Sequence, residues 1–407
     1  MIDRNGVVRR LLPVAAASLL FLVGQPSPAA PPAQAAGRHL VVATAGQEAR
    51  FAPAFATVDS WVAKGAFPGA VLAVGQHGRL VALKAFGRIA SSAGAPPMPV
   101  DALFDLASLT KVIGTTTAAE ILYDRHQLDL DAPVVRYLPE FGAVPGHDRI
   151  TVRDLLTHSS GLQSADMSWQ YAKDRQGILQ RLYAMPATDP PGTVFAYRDT
   201  NLILVGEIVA RLSGQPLDRF LAREVFGPLG MKDTGFRPSP TLLPRIAPTE
   251  QDDRFRHMLV RGVVHDENAY VMGGVAGHAG LFSTARDLAT FAELYLDHGS
   301  YRGKRLIKAS TIDLFETRQN MPPGSSRALG WDTPTAGGFA GPLASPRAII
   351  HTGFTGTSIY IDPARDAFVI LLTNRVNPTR NNMLISQARP AIHTAVLSIL
   401  DEAARKP

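Results

Sequence analysis

The sequence predicts an α+β fold: one antiparallel sheet flanked by helices, built from both chain ends, with an all-helical domain inserted between them. Three observations predict it. Near the start, Ala70 to Val74 and Leu80 to Leu83 are apolar runs separated by a turn at His77-Gly78, the pattern of a β-hairpin. Near the end, strand character returns in Ala348 to His351, Ser358 to Ile361 and Phe368 to Thr373, the last two joined by a turn at Pro363-Ala364-Arg365-Asp366. The stretch between them, roughly Asp129 to Asp266, is dominated by helical signals.

The remaining elements follow in order. Phe51 to Lys64 reads as an amphipathic helix that Pro68-Gly69 breaks. A helix runs from Ser108 to about Arg125. Thr151-Val152-Arg153-Asp154 is a capping-box-like helix start. Asn201 to Leu212 is apolar at helical spacing, and Leu217 to Val225 follows it. Residues 237–256 are Pro-rich and polar and read as a surface loop. Another helix spans Ala285 to Asp297, residues 318–347 read as loop with one strand, and a last helix covers Met383 to Ala404. The expected division is an α/β domain from residues 37–110 and 270–407 and a mainly helical domain from 111–269, with the active site in the cleft between them.

Composition narrows the partners. The 407 residues carry no cysteine, which excludes disulfides, cysteine–zinc sites and cysteine nucleophiles. The formal net charge of +6 is spread without a Lys/Arg run or basic–aromatic interleaving, so no nucleic-acid partner is expected. Arg4, Arg9 and Arg10 precede the apolar run Leu11 to Val23, and Ala33-Gln34-Ala35 follows as a cleavage site. That is the layout of a secretory signal peptide, with a Pro/Ala-rich tether before residue 36. The expected location is periplasmic or secreted, with a membrane partner only if this segment is retained as an anchor.

Chemistry concentrates in one motif. Ser108-Leu109-Thr110-Lys111 is the chain's single Ser-x-x-Lys and stands at a predicted helix start. Positions i and i+3 share a helix face, so the hydroxyl and the amine meet where backbone N–H groups are free. A serine becomes a nucleophile when a base takes its proton, and a partly desolvated lysine of lowered pKa is one such base. Tyr197 is a candidate second proton carrier. His351-Thr352-Gly353-Phe354 is a glycine-containing strand end that a substrate backbone can approach. The backbone N–H groups of Ser108 and Phe354 are the candidate oxyanion hole. No His-x-x-x-His or His/Glu pattern marks a metal site, and no cofactor is expected.

Ser108-x-x-Lys111, Tyr197-x-Asp199 and His351-Thr352-Gly353, in that order, resemble the three motifs of the class C β-lactamase and penicillin-binding-protein family of serine hydrolases. The stretches Leu155 to Leu162 and Gly280 to Leu288 look like the same family, and the resemblance covers roughly residues 50–400. It implies a serine β-lactamase-like fold, with Ser108 acylated at the junction of an α/β domain and a helical domain. His265-Asp266 and Gly273 to His278 resemble a subgroup of peptidoglycan-processing enzymes that includes an N-acetylmuramoyl-L-alanine amidase. His278 is therefore a candidate substrate contact, as is His265; the other reading is a histidine capping a Gly-rich turn.

Two positions depart from the family pattern. Family members usually carry lysine at His351 and asparagine at Asp199. A neutral histidine is a weaker partner for an anion, and an ionised aspartate only accepts hydrogen bonds. Both changes point away from efficient β-lactam hydrolysis, towards an ester or amide without a free carboxylate beside the scissile bond. A carboxylate near Lys111 would also raise the lysine pKa, which makes Tyr197 the more important base. Asp199, His351, Thr352 and Gly353 are the expected substrate-binding residues. The implied function is a secreted serine hydrolase acting on a small molecule or peptide, peptidoglycan fragments among them. The alternatives are a D,D-carboxypeptidase or β-lactamase, and a non-catalytic penicillin or muropeptide sensor.

Overall fold

Alternation along the strands sets two buried faces. The computed structural model describes residues 38–165 and 167–405, so the predicted signal segment and tether lie outside the described residues. The central sheet has six strands: β1 (Val41–Val42), β2 (Gly69–Gln76), β3 (Arg79–Gly87), β4 (Ile349–Thr352), β5 (Ser358–Asp362) and β6 (Ala367–Thr373). Their spatial order is β1-β3-β2-β6-β5-β4. Every pairing is antiparallel except β1 with β3. The N-terminal hairpin therefore meets the C-terminal strands through β2 and β6, where Val71 lies opposite Leu372 and Ala73 opposite Ile370.

All eight residues of β2 are buried because both sheet faces are covered. Val71, Ala73, Phe368, Ile370 and Leu372 face one core, which includes the helix Ala285–Leu296. Ala70, Leu72, Val74, Val369 and Leu371 face the other, formed with the helices Ala52–Ala63 and Ile385–Arg405. A period of two divides consecutive apolar residues between the cores.

Between the halves of the sheet the chain runs through short helices, the longest being Asp199–Ser213. The capping box at Thr151 is present: its hydroxyl accepts from the Asp154 N–H, and the Asp154 carboxylate accepts from the Thr151 N–H. A small three-stranded sheet binds this region to the rest. Leu281–Ser283 pairs on one side with Phe104–Asp105 and on the other with Gly235–Phe236. The segment entering Ser108 is thus hydrogen-bonded to the far part of the chain.

Two loops differ from expectation. Residues 237–256 are only partly a surface loop. Ile246, Ala247, Thr249 and Glu250 are buried, and Leu103 exchanges backbone hydrogen bonds with Arg245 and Ala247. Polarity misled there because Glu250 is buried against His265 and Arg380. Residues 318–347 hold a lone bridge between Asp332 and Ile350 in place of a strand.

Glu293, in the helix Ala285–Leu296, is buried with no hydrogen-bond partner for either carboxyl oxygen among the described residues. Burial, with Asp366 nearby, pushes its pKa up to about 7. Unfolding lets the group ionise from about pH 4.5, so stability falls as pH rises from about 4.5 to 7 and is level above that. Glu293→Gln is expected to leave thermal stability unchanged at pH 4.5 and to raise it at pH 8, by at most roughly 3 kcal/mol. Melting curves at the two pH values check this; an equal shift at both contradicts it.

Candidate active site

Ser108 is presented by a strained turn. Ala107 adopts φ of 46°, a region that residues with a Cβ rarely occupy. The buried Asp105 carboxylate holds the turn by accepting from the N–H of Ala107 at 2.8 Å and from the N–H of His265 at 2.6 Å. Thr355 and Thr357 donate their hydroxyls to the carbonyls of Asp105 and Leu106, tying the end of β4 to the same turn. A Cβ on Gly353 would lie 2.3 Å from the Leu106 oxygen, so only glycine permits this approach.

After one 3₁₀ turn at Ala107–Leu109 the chain forms a π-helical segment, Lys111–Thr116, before Thr117–Asp124 becomes α-helical. Lys111 is 0 % exposed. Its ammonium donates to Ser108 Oγ at 2.9 Å and to the His278 carbonyl at 3.2 Å, and pairs with Asp199 Oδ1 at 2.6 Å. Burial alone would lower the lysine pKa, but the Asp199 carboxylate and Tyr197 outweigh it and raise it above the ordinary value. The idea of a lysine base with a lowered pKa is therefore corrected: Lys111 is held charged, as the aspartate in the second motif suggested.

Asp199 begins its helix, where free N–H groups favour a carboxylate. The preceding loop is fastened by His158. Its carbonyl accepts from the N–H of Ala196, and its Nδ1 accepts from the N–H of Arg198 at 3.2 Å. The same nitrogen lies 3.1 Å from Asn201 Nδ2. The His158 ring packs 4.5 Å from the Tyr197 ring, which is 38 % exposed and stands 5.1 Å from the Lys111 ammonium. Burial and the nearby Arg327 hold His158 well below the ordinary histidine pKa, so it is neutral.

His351 is buried with Nδ1 2.9 Å from the Thr352 carbonyl. Burial, then Arg327 and Lys111, keep its pKa well below the usual range. Its ring centre is 6.1 Å from that of Tyr197. Two cavities meet at the nucleophile. One, about 410 Å³, is lined by Ser108, Tyr197, Asp199, Trp169, Asn268 and Phe354 among others. The second, about 510 Å³, is lined by Ser108, Tyr197, Arg327, His351, Thr352 and Gly353 among others. Phe354, 47 % exposed, also lines both. Ser108, Tyr197, Asp199, His351, Thr352, Gly353 and Phe354 thus line one or both cavities, and Lys111 lies behind them against Ser108.

His278 departs from expectation. Its side chain is 1 % exposed and its Nε2 lies 2.8 Å from Asp266 Oδ1, so it reaches no substrate. It braces Asp266, which the histidine keeps below the usual carboxylate range against the effect of burial. His265 is likewise engaged, 3.0 Å from Glu250 Oε2, with its ring stacked 5.6 Å from Phe354. Asp199, Asp266 and His278 place one ligand atom each within 4.8 Å of the others, a clustering invisible in the sequence. Lys111 already supplies a cation to it. Asp105, His158 and Asp266 are supporting residues to which sequence reasoning gave no role in the site; Asp266 stands in the quoted pair His265-Asp266, and Asp105 lies three residues before Ser108.

Because Asp199 is what raises the Lys111 pKa, Asp199→Asn is expected to move the alkaline limb of the kcat/KM profile for an activated ester to lower pH. A pH–rate series on both proteins checks this. An unmoved limb contradicts the ion pair's assigned effect.

A family model described as β-lactamase matches residues 54–390. A Bacillus subtilis (strain 168) protein named "N-acetylmuramyl-L-alanine amidase" is 36% identical over 343 residues, covering 76% of this chain and 77% of that one. An Escherichia coli (strain K12) protein named "Putative D-alanyl-D-alanine carboxypeptidase" is 32% identical over 386 residues, covering 82% and 86%. Among solved structures, a penicillin-binding-protein homologue from Caulobacter crescentus superposes with a TM-score of 0.69 at 21% identity, covering 86% of this chain and 97% of that chain, a likeness of fold. With the Ser-x-x-Lys pair assembled as the motifs required, the chain belongs to the β-lactamase family and is a serine hydrolase related to the class C enzymes and penicillin-binding proteins.

Proposed function

We propose that this hydrolase opens an amide bond in a cell-wall peptide by way of an ester on Ser108, and that it acts outside the cytoplasm. The observation that carries the reading is the contact of 2.9 Å between Ser108 Oγ and the Lys111 ammonium, at the point where two cavities meet. The names of the two curated relatives support a cell-wall substrate.

A charged lysine cannot accept the serine proton; it stabilises the oxygen as negative charge develops. The proton therefore goes to the Tyr197 oxygen, which acts as a phenolate beside the Lys111 ammonium and borders both cavities. Ser108 Oγ bonds to the carbonyl carbon, Tyr197 hands a proton to the leaving nitrogen, and the C–N bond breaks. Water then attacks the ester, giving a proton back along the same path, and Ser108 is restored. The oxyanion falls to the N–H groups of Ser108 and Phe354. Arg389 donates to the Gly353 carbonyl at 2.7 Å, which turns the Phe354 N–H of that planar peptide the opposite way. Arg375 donates to the Phe354 carbonyl at 2.8 Å and fixes the next peptide.

A neutral His351 and an acceptor-only Asp199 weigh against a β-lactamase. Turnover of penicillin, a D-Ala-D-Ala peptide, a muramoyl-peptide and simple esters tests the reading; the muramoyl-peptide is expected to be cleaved fastest. Penicillin as the best substrate, or an adduct that never turns over, contradicts it. Tyr197→Phe is expected to lower kcat/KM by about 10²- to 10⁴-fold, a larger loss than Asp199→Asn. Unchanged activity in Tyr197→Phe overturns the assignment of the phenol.

A further inference from the structure

The two cavities differ in charge and in surface, although they share Ser108, Tyr197 and Phe354. The cavity beside His351 contains three guanidinium groups, Arg327, Arg375 and Arg389, and one carboxylate, Asp332. Arg375 donates to the carbonyls of Phe354, Arg380 and Asn382, and Arg389 to those of Gly353 and Thr357. Carbonyls satisfy hydrogen bonds but leave the positive charge standing. Arg327 is 3 % exposed, lies 3.6 Å from Asp332 and donates to the Gly330 carbonyl at 2.8 Å, and its buried Nε has no partner among the described residues. Its guanidinium lies 6.0 Å from the ring centres of both Phe195 and Tyr197, at the wall of this cavity.

The other cavity is balanced towards acid. Asp199, Asp266 and Glu267 face Arg254 and Arg380 there, and Glu267 takes up Arg380 at 2.8 Å. Its aromatic lining is Trp169, Tyr197 and Phe354, and Phe255, outside the cavity, packs 4.5 Å from the Trp169 ring. Phe354 stands exposed at its edge. A half-buried indole and the exposed Phe354 ring beside polar side chains suit a sugar, which presents C–H faces and a rim of hydroxyls.

Resting on the cell-wall reading above, we infer that the two cavities divide one substrate: a sugar-bearing acyl group lies over Trp169 and Phe354, and the departing peptide amine places a carboxylate against Arg327. The carboxylate belongs to a residue beyond the one whose nitrogen is released, since His351 offers no charge beside the scissile bond. Arg327 thereby sets specificity for the leaving peptide, and Trp169 for the acyl sugar. The bond broken joins the sugar acid's carbonyl to the peptide nitrogen; Ser108 takes the acyl group, the amine leaves protonated, and water releases the free sugar acid.

The test compares kcat/KM for three probes: N-acetylmuramoyl-L-alanyl-D-glutamate, the same compound with both glutamate carboxyls amidated, and D-lactoyl-L-alanyl-D-glutamate, which lacks the sugar. The unmodified enzyme is expected to prefer the free acid to the amide by about 10- to 100-fold, the worth of a charge-assisted hydrogen bond. Arg327→Met should abolish that preference, the free-acid probe losing about 10- to 100-fold more kcat/KM than the amidated probe. Trp169→Ala should raise KM for the sugar-bearing probes several-fold more than for the lactoyl probe. Equal turnover of acid and amide by the unmodified enzyme overturns the inference without recourse to any variant. A loss of acid preference in Trp169→Ala, with none in Arg327→Met, overturns the orientation. Failure to cleave any muramoyl probe, with simple esters still hydrolysed, overturns the cell-wall reading itself.

Discussion

A buried ammonium needs a counter-charge, and the site is organised around that requirement. Lys111 is out of solvent. Left alone there it would lose its proton or unfold the segment that carries it. Asp199, at 2.6 Å, keeps it charged, and the helix that Asp199 begins favours the carboxylate. The ion pair is not itself evidence of stability, because desolvating both partners offsets most of their attraction. Its consequence is chemical. Lys111 becomes a fixed positive donor aimed at Ser108 Oγ, and the task of moving protons passes to the neighbouring phenol.

The fold brings these groups together by close backbone approach at two glycines. Gly353 lets the end of β4 lie against the turn before Ser108. Gly277 packs on the helix Asp199–Ser213, where an added Cβ would stand 1.9 Å from the Leu202 oxygen. That contact sets the carbonyl of Gly277 against the Thr115 hydroxyl at 2.6 Å and the next carbonyl against Lys111. The helix bearing Asp199, the helix bearing Lys111 and the loop bracing Asp266 are thus fixed to one another through main chain.

Much of this was legible in the sequence because it depends on local order. The spacing of Ser108 and Lys111, the apolar runs of β2 and β6 and the capping box at Thr151 are short-range signals, and the structure holds each of them. The charge on Lys111 was legible too, since Asp199 stands where an amide is usual. Three things were not. His278 resembled a cleft residue, but nothing in a glycine-rich string tells which way a side chain turns, and it turns inward to Asp266. His158 packs under Tyr197 across 39 positions of sequence, and nothing local marks that contact. Arg327 lay in a stretch read as loop, and only the fold brings it beside Phe195, Tyr197 and Ser108.

The most direct test of the account is peptide mapping by mass spectrometry after brief exposure to a fluorophosphonate, on the unmodified chain and on Ser108→Ala. The account predicts one stoichiometric adduct, on Ser108, that is absent from the variant. An adduct on another serine, or none on an intact folded protein, would contradict it.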